Sequence, residues 1–301
     1  MYELIIIGGG PAGLTAAIYA IRKRLNILLL SKDLGGKTNF HLSLPWTESY
    51  HIIRGEEIVN KFRTELEYLE FARHIKGVDK VEKKDDRFIV TTLGGAILES
   101  KAVILATGTR QVLMNVPGEK EYATKGLCYS AVSYAPLFID KSVIVIGDAD
   151  LALRSASELA TVAKDVTMVC TDDNLIESPL GHKLQQSHNV KIIQGCEVVE
   201  VAGDEFARKL VLKDKAGKVQ EYSADGMFVE KALAPNTNMV TGFVQLDDLG
   251  RVVVDSACCT NVPGFFAAGD VTNSYAEQVL VAVGEGAKAA LSAYEYLLPM
   301  I

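Results

Sequence analysis

A glycine turn of spacing G-x-G-x-x-G, set between two apolar strands in residues 1–33, constrains this chain more than any other stretch. The run Tyr2-Glu3-Leu4-Ile5-Ile6-Ile7 leads into Gly8-Gly9-Gly10-Pro11-Ala12-Gly13, then an alanine-rich helix from Leu14 to Arg22 and a second apolar strand from Asn26 to Leu30. In a dinucleotide-binding unit Gly8 makes the tight turn, Gly10 lets backbone approach a pyrophosphate, and Gly13 lets helix and strand pack closely. The helix N-terminus then offers free N–H groups and a positive dipole end to the phosphates. The ribose-binding acid of such a unit falls about twenty residues past the glycines, and Asp33 stands twenty beyond Gly13.

A chain of 301 residues has room for two domains, or for one domain interrupted by another. Its net charge of −7 argues against general affinity for nucleic acid or an anionic membrane. Met1 is followed at once by the first strand, leaving no room for a leader, and the apolar runs are too short to span a bilayer. A cytoplasmic protein is the expectation. The five cysteines, 128, 170, 196, 258 and 259, form no C-x-x-C pattern, and a disulfide between adjacent Cys258 and Cys259 would be strained. The scattered histidines include no H-E-x-x-H, so no metal site is expected.

Further along, a helix is expected from Gly55 to about Phe71, with Ile58, Phe62, Leu66 and Leu69 on one face, followed by strands at Val78–Lys83 and Arg87–Thr92. A buried strand runs through Lys101–Leu105 into Ala106-Thr107-Gly108. The opening glycines, Gly35-Gly36, Ala106-Thr107-Gly108, Val116-Pro117-Gly118-Glu119, Pro235-Asn236-Thr237 and Gly264-Phe265-Phe266-Ala267-Ala268-Gly269-Asp270 occur in one order. In order and spacing they resemble the low-molecular-weight thioredoxin reductase family across essentially the whole chain. The resemblance implies an α/β fold of two Rossmann-like, three-layer ββα dinucleotide-binding domains, the second inserted into the first. It places an FAD domain at residues 1–114 and 245–301 and a nicotinamide-nucleotide-type domain at 115–244.

By the same resemblance the cofactor is FAD, met by Gly8, Gly10, Pro11, Ala12, Gly13, Asp33, Gly36, Lys37, Ala106, Thr107, Gly108, Gly269, Asp270, Gln278 and Val279. Asp270 would bind the ribityl chain. Ser274-Tyr275-Ala276-Glu277 fits a capping box opening a helix from about Glu277 to Leu297. A homodimer is implied as well. Trp46 lies in a segment that runs near the flavin in the family, and is read either as flavin-proximal or as packing. Tyr129 and Tyr134 are candidates to face the flavin ring.

Two parts that the family needs are missing. Ser130 and Ser133 fall where its C-x-x-C redox pair belongs, and a hydroxyl cannot form a disulfide or exchange with a thiol. Cys128 is out of register and reads chiefly as an ordinary small residue. The inserted domain's own loop reads Gly147-Asp148-Ala149-Asp150-Leu151-Ala152, with a methyl group and two acids near the pyrophosphate position. An acid about 5 Å from a phosphate costs about 3 kcal/mol at an effective dielectric of 20. No arginine stands near Thr171 and Asp172 for the 2′-phosphate of NADPH. Glu277 stands where family members often carry a basic residue, and Glu230-Lys231-Ala232 replaces a small, glycine-containing strand end.

The leading expectation is an FAD oxidoreductase that uses neither NADPH nor a redox disulfide. Its flavin would exchange electrons with a small electron-transfer protein such as ferredoxin, a quinone-like molecule or oxygen. The alternatives are a non-catalytic FAD-binding sensor or structural flavoprotein, a ferredoxin/flavodoxin–NADP reductase-like enzyme, and a protein with a second flavin in the vacated site.

Overall fold

The run Leu4–Ile7 forms the body of β1 (Tyr2–Ile7) and is buried on both faces, which is why it reads as an unbroken apolar stretch and not as an alternation. The structure, a computed structural model, describes residues 1–46, 56–67, 73–171 and 175–301. After the glycine turn come α1 (Pro11–Arg22) and β2 (Ile27–Ser31), which pairs in parallel with β1. Then follow α2 (Glu56–Glu67), β3 (Arg73–Ile75), a meander of β4 (Val78–Lys84), β5 (Arg87–Thr92) and β6 (Ile97–Leu105), and the short β7 (Thr109–Gln111). Of the stripe expected on α2, Leu66 is fully buried and Phe62 packs half-buried against the core, whereas Ile58 is exposed and its neighbour Val59 is fully buried in its place. Val59 and Leu66 lie seven apart, two turns on one face. Leu69 lies outside the described residues.

The second unit opens with α3 (Glu119–Tyr122), β8 (Leu127–Cys128), α4 (Ala131–Tyr134), β9 (Ser142–Ile146), α5 (Asp150–Leu159) and β10 (Asp165–Cys170). It continues through α6 (Pro179–Gln185), β11 (Val190–Gln194), β12 (Glu197–Gly203), β13 (Ala207–Lys213), β14 (Val219–Ser223) and β15 (Gly226–Val229) to β16 (Leu233–Pro235). A parallel sheet of order β11-β10-β9-β15-β8 is accompanied by an antiparallel sheet β12-β13-β14. On α5, Ala152, Leu153, Ala156 and Leu159 face the core of this unit.

Returning to the first unit, β17 (Phe265–Ala267) pairs in parallel with the second half of β6, whose first half pairs antiparallel with β5. The sheet runs β3-β2-β1-β6-β5-β4 with β17 joined to β6. Finally α7 (Val279–Leu297) lies along α1 through buried Ala282, Gly286, Ala289, Ala290 and Ala293. Spacing of three and four keeps these small side chains on one face, so the two helices approach closely. The helix begins two residues later than expected, and no capping box forms: Gln278 is the N-cap, with no side-chain cap. The Ser274 hydroxyl instead donates to the Glu285 carboxylate at 2.6 Å.

Contacts divide the chain into one unit of Met1–Asn39, Ile53–Arg110 and Ala234–Ile301, and another of Phe40–Ile52 and Gln111–Leu233. Against the boundaries that the resemblance implies, the crossings fall at 110/111 and 233/234. Burial explains the second shift, because Val240 and Val244 belong to the core built around β1, β6 and β17. Among the described residues, no helix is long and apolar enough to cross a membrane.

Candidate functional site

The C-terminal end of β1 feeds a turn whose backbone only glycine adopts easily. Gly8 has φ +116°, and a Cβ there would stand 2.2 Å from the Ala106 carbonyl oxygen. Gly10 is different in kind. Its φ is −75°, and no protein atom lies within 4 Å of where its Cβ would be. The space over Gly10 is therefore open, bounded below by the start of α1. There Pro11 occupies the first turn and no side chain caps the helix. Proline has no N–H to satisfy, and the amides that follow remain available to an anion. An uncapped helix start beneath a vacant glycine shoulder fits a pyrophosphate.

Other predicted residues of the first unit gather around this loop. The Gly35 amide donates to the Gly9 carbonyl at 2.7 Å, laying the second glycine turn against the first. Asp33 Oδ1 accepts from the Gly36 amide at 3.0 Å, so this carboxylate shapes the turn at the end of β2. Lys37 Nζ lies 2.6 Å from Asp270 Oδ2 and donates to Thr109 Oγ1 at 2.8 Å. A cation and a mostly buried carboxylate are thus paired beside the loop. The Glu277 carboxyl is held above its usual range, mainly by burial, with Lys37 opposing and Asp270 reinforcing the shift. The residue keeps an exposed flank, so the effect is partly screened.

Two supporting residues had no role assigned from sequence. Asn236 donates from Nδ2 to the Thr107 carbonyl at 2.9 Å and from its backbone to the Gly108 carbonyl at 3.0 Å, while accepting from Thr107 Oγ1 at 2.7 Å. It fastens the turn after β6. Glu285 accepts from the Gly269 amide at 2.8 Å and from the Ser274 hydroxyl at 2.6 Å, bracketing Asp270. The available signal was an acid between Gly284 and Gly286 in the small, apolar first half of the helix.

In the second unit, Ser130 Oγ donates to Ser133 Oγ at 3.0 Å, a hydrogen bond where the resemblance implies a disulfide. The adjoining Ala131 amide donates to the buried Glu230 carboxylate at 2.7 Å. Cys128 is buried, and burial, then the Glu230 charge, pushes its thiol well above the ordinary value. That environment suits a core residue and disfavours a reactive thiolate. None of the five cysteines is in a disulfide.

The aromatic candidates are used inside this same unit. Tyr134 donates to the Phe40 carbonyl at 2.9 Å, and Tyr129 donates to Glu119 at 3.2 Å. Trp46 packs edge-on against Phe138 at 5.8 Å, donates to the Leu137 carbonyl at 3.0 Å and carries Lys141 over its ring. Packing is the role that the structure gives it. At the second glycine turn, Ala149 is the uncapped N-cap of α5, Asp150 lies in the first helical turn, and Asp148 Oδ1 accepts from Thr171. Asp172 lies outside the described residues.

Comparison with known proteins agrees with this arrangement. The model of the pyridine nucleotide-disulphide oxidoreductase family matches residues 2–286. Similar curated proteins include a component of the alkyl hydroperoxide reductase of Xanthomonas campestris pv. phaseoli, 38% identical over 99% of this chain, and an NADH dehydrogenase of Bacillus subtilis (strain 168), 33% identical over 99%. The chain spans 57% and 59% of the lengths of these two relatives. A thioredoxin reductase structure from Streptococcus pyogenes MGAS5005 is 33% identical, with a TM-score of 0.89 over 100% of this chain and 99% of that one. Another from Giardia duodenalis is 28% identical with a TM-score of 0.87, covering 99% of each. This chain belongs to the pyridine nucleotide-disulphide oxidoreductase family, whose members are FAD-dependent oxidoreductases, and FAD is its cofactor.

Proposed function

We propose that the protein is a flavin oxidoreductase that uses neither NADPH nor a redox disulfide, and that it passes electrons between FAD and a separate donor or acceptor. The observation that carries this reading is the Ser130–Ser133 hydrogen bond at 3.0 Å, because two hydroxyls cannot store or exchange the electrons of a disulfide. The acids of the Gly147 turn support it on the nicotinamide side. Bound FAD supplies one- and two-electron transfer.

In this reading the α1 start and Gly8, Gly10, Pro11, Ala12 and Gly13 hold the pyrophosphate. Asp33 and Gly36 border the adenosine side, Lys37 stands beside Asp270, and Ala106, Thr107 and Gly108 form the floor. Asp270, held beside Gly269, offers an oxygen to the ribityl hydroxyls, and Gln278 and Val279 approach the flavin from the start of α7. The partner is a small electron-transfer protein such as ferredoxin, a quinone-like molecule or oxygen. A homodimer and a cytoplasmic setting accompany the reading.

A second reading has one observation in its favour: a relative 33% identical over nearly the whole chain is named an NADH dehydrogenase. There the second unit would take NADH despite its acids. Anaerobic titration of the FAD-loaded protein with NADPH, NADH, reduced ferredoxin and dithionite separates the two. We expect bleaching of the flavin by dithionite and by a protein donor, and none by either nicotinamide. Rapid stoichiometric bleaching by NADH would establish the second reading instead.

A further inference from the structure

The two glycine turns of this chain can be aligned by their own backbone hydrogen bonds. The Gly8 amide donates to the Leu30 carbonyl of β2 at 2.8 Å, and the Gly147 amide donates to the Val169 carbonyl of β10 at 3.1 Å. Gly8 thus corresponds to Gly147, Gly9 to Asp148, Gly10 to Ala149, and the residues leaving β2, Lys32 and Asp33, to Thr171 and Asp172. In a doubly wound unit, the ribose of the adenosine half lies at the end of this second strand.

The first copy has no room for a side chain at this step. Gly9 has no side chain, and a Cβ there would come 2.2 Å from the Asp33 carbonyl and 2.5 Å from Ser31 Oγ. In the second copy the residue at this step is an aspartate that reaches outward. Asp148 Oδ1 accepts from the Thr171 amide at 2.5 Å and from the Thr171 hydroxyl at 2.8 Å. One carboxylate oxygen therefore occupies both donors at the strand end, where a ribose hydroxyl or a 2′-phosphate would look for them.

We infer that Asp148 is a built-in plug. Its carboxylate takes the Thr171 donors and closes the second glycine turn to the adenosine ribose of a nicotinamide dinucleotide, so Asp148, more than the missing glycine at 149, sets the specificity of this unit. The inference rests on the proposed lack of nicotinamide use and supplies its cause. Occupancy and charge act together, because a 2′-phosphate would meet both a filled donor pair and a like charge. NADPH is accordingly the more strongly excluded dinucleotide.

The test is calorimetric binding of NADH and of ADP-ribose to the FAD-loaded protein and to three variants, with flavin content and melting temperature checked for each. Asp148 is half-buried, and the melting temperature shows whether each replacement leaves the fold intact. Wild type and Ala149→Gly should show no measurable binding, whereas the Asp148→Ser/Ala149→Gly variant should gain roughly a hundredfold or more. Asp148→Asn/Ala149→Gly keeps an amide oxygen for Thr171 and should recover only a small part of that gain. Equal gain in the Ala149→Gly variant, full gain in the asparagine variant, or no gain in the serine variant would each overturn the plug. If wild type itself binds NADH and its flavin bleaches, the functional reading fails too. If wild type stays inert and the serine variant gains nothing, only this inference fails.

Discussion

At the scale of single residues, Glu285 shows how a side chain outside the glycine motifs supports the cofactor site. Its two carboxylate oxygens are used separately, one by the Gly269 amide and one by the Ser274 hydroxyl, so the loop carrying Asp270 is tied at both ends to α7. Glu285→Gln offers only one good acceptor and leaves one of those donors unmatched. Hydrogen bonds to a charged group are worth about 1.5–3 kcal/mol, and we expect FAD affinity to fall roughly tenfold or more. Unchanged FAD affinity in fluorescence titration would show that the loop holds its shape without the carboxylate. The same residue marks Cys258, whose thiol is pushed from 9.0 up to about 11, chiefly by burial and next by the Glu285 charge. A thiol that keeps its proton more tightly folded than unfolded stabilises the fold fully below pH 9.0, and that contribution is lost as pH climbs through about 11. Urea unfolding of the wild type should therefore weaken over this window, with a flatter pH slope in Cys258→Ala. Parallel slopes in the two proteins would assign the alkaline loss to other groups.

At the scale of elements, the β1 turn and the start of α1 separate what folding needs from what binding needs. Gly8→Ala puts a methyl group into the Ala106 carbonyl at a backbone angle that alanine avoids, and should cost several kcal/mol or abolish folding. Gly10→Ala meets no protein atom and has an ordinary φ. Its stability without FAD should stay within about 0.5 kcal/mol of wild type, while FAD affinity drops. A Gly10→Ala variant that binds FAD normally would remove the pyrophosphate from this shoulder. The strand, the glycine turn and the helix start were legible in the sequence because they are local and lie within thirty-three residues. The start of α7 was misread because S-x-x-E has the spacing of a capping box, whereas Ser274 lies four residues before the N-cap and its hydroxyl donates to Glu285, a pairing that local spacing does not reveal. Trp46 was ambiguous for a similar reason. Its partners, Leu137, Phe138 and Lys141, lie some ninety residues on, and no local pattern reveals a pairing of that range. The exchange of Ile58 for Val59 on the α2 stripe is smaller in kind: both are apolar, and periodicity alone does not decide which of two neighbours faces inward.

At the scale of the whole molecule, two units of related topology carry unequal loops, and ligand-linked stability can report on each separately. A ligand that binds only the folded form adds about 2.7 kcal/mol when present at 100 times its Kd. In the proposed reading FAD lends this only to the unit formed by Met1–Asn39, Ile53–Arg110 and Ala234–Ile301. Nicotinamide dinucleotides lend nothing to the unit formed by Phe40–Ile52 and Gln111–Leu233, since Asp148 holds the donors at the end of β10. Hydrogen exchange on the protein stripped of FAD resolves the two. Adding FAD should slow exchange at the Gly8–Gly13 turn, the Gly35–Lys37 turn and the Gly269–Asp270 loop, and leave β9, α5 and β10 unchanged. Adding NADH at the same excess should slow exchange in neither unit. In the Asp148→Ser/Ala149→Gly variant, NADH should begin to protect the turn after β9 while FAD protection in the first unit stays as it was. Protection spreading over both units on FAD addition alone would mean that they open as a single cooperative body, and the loops could then no longer be assigned separate energetics.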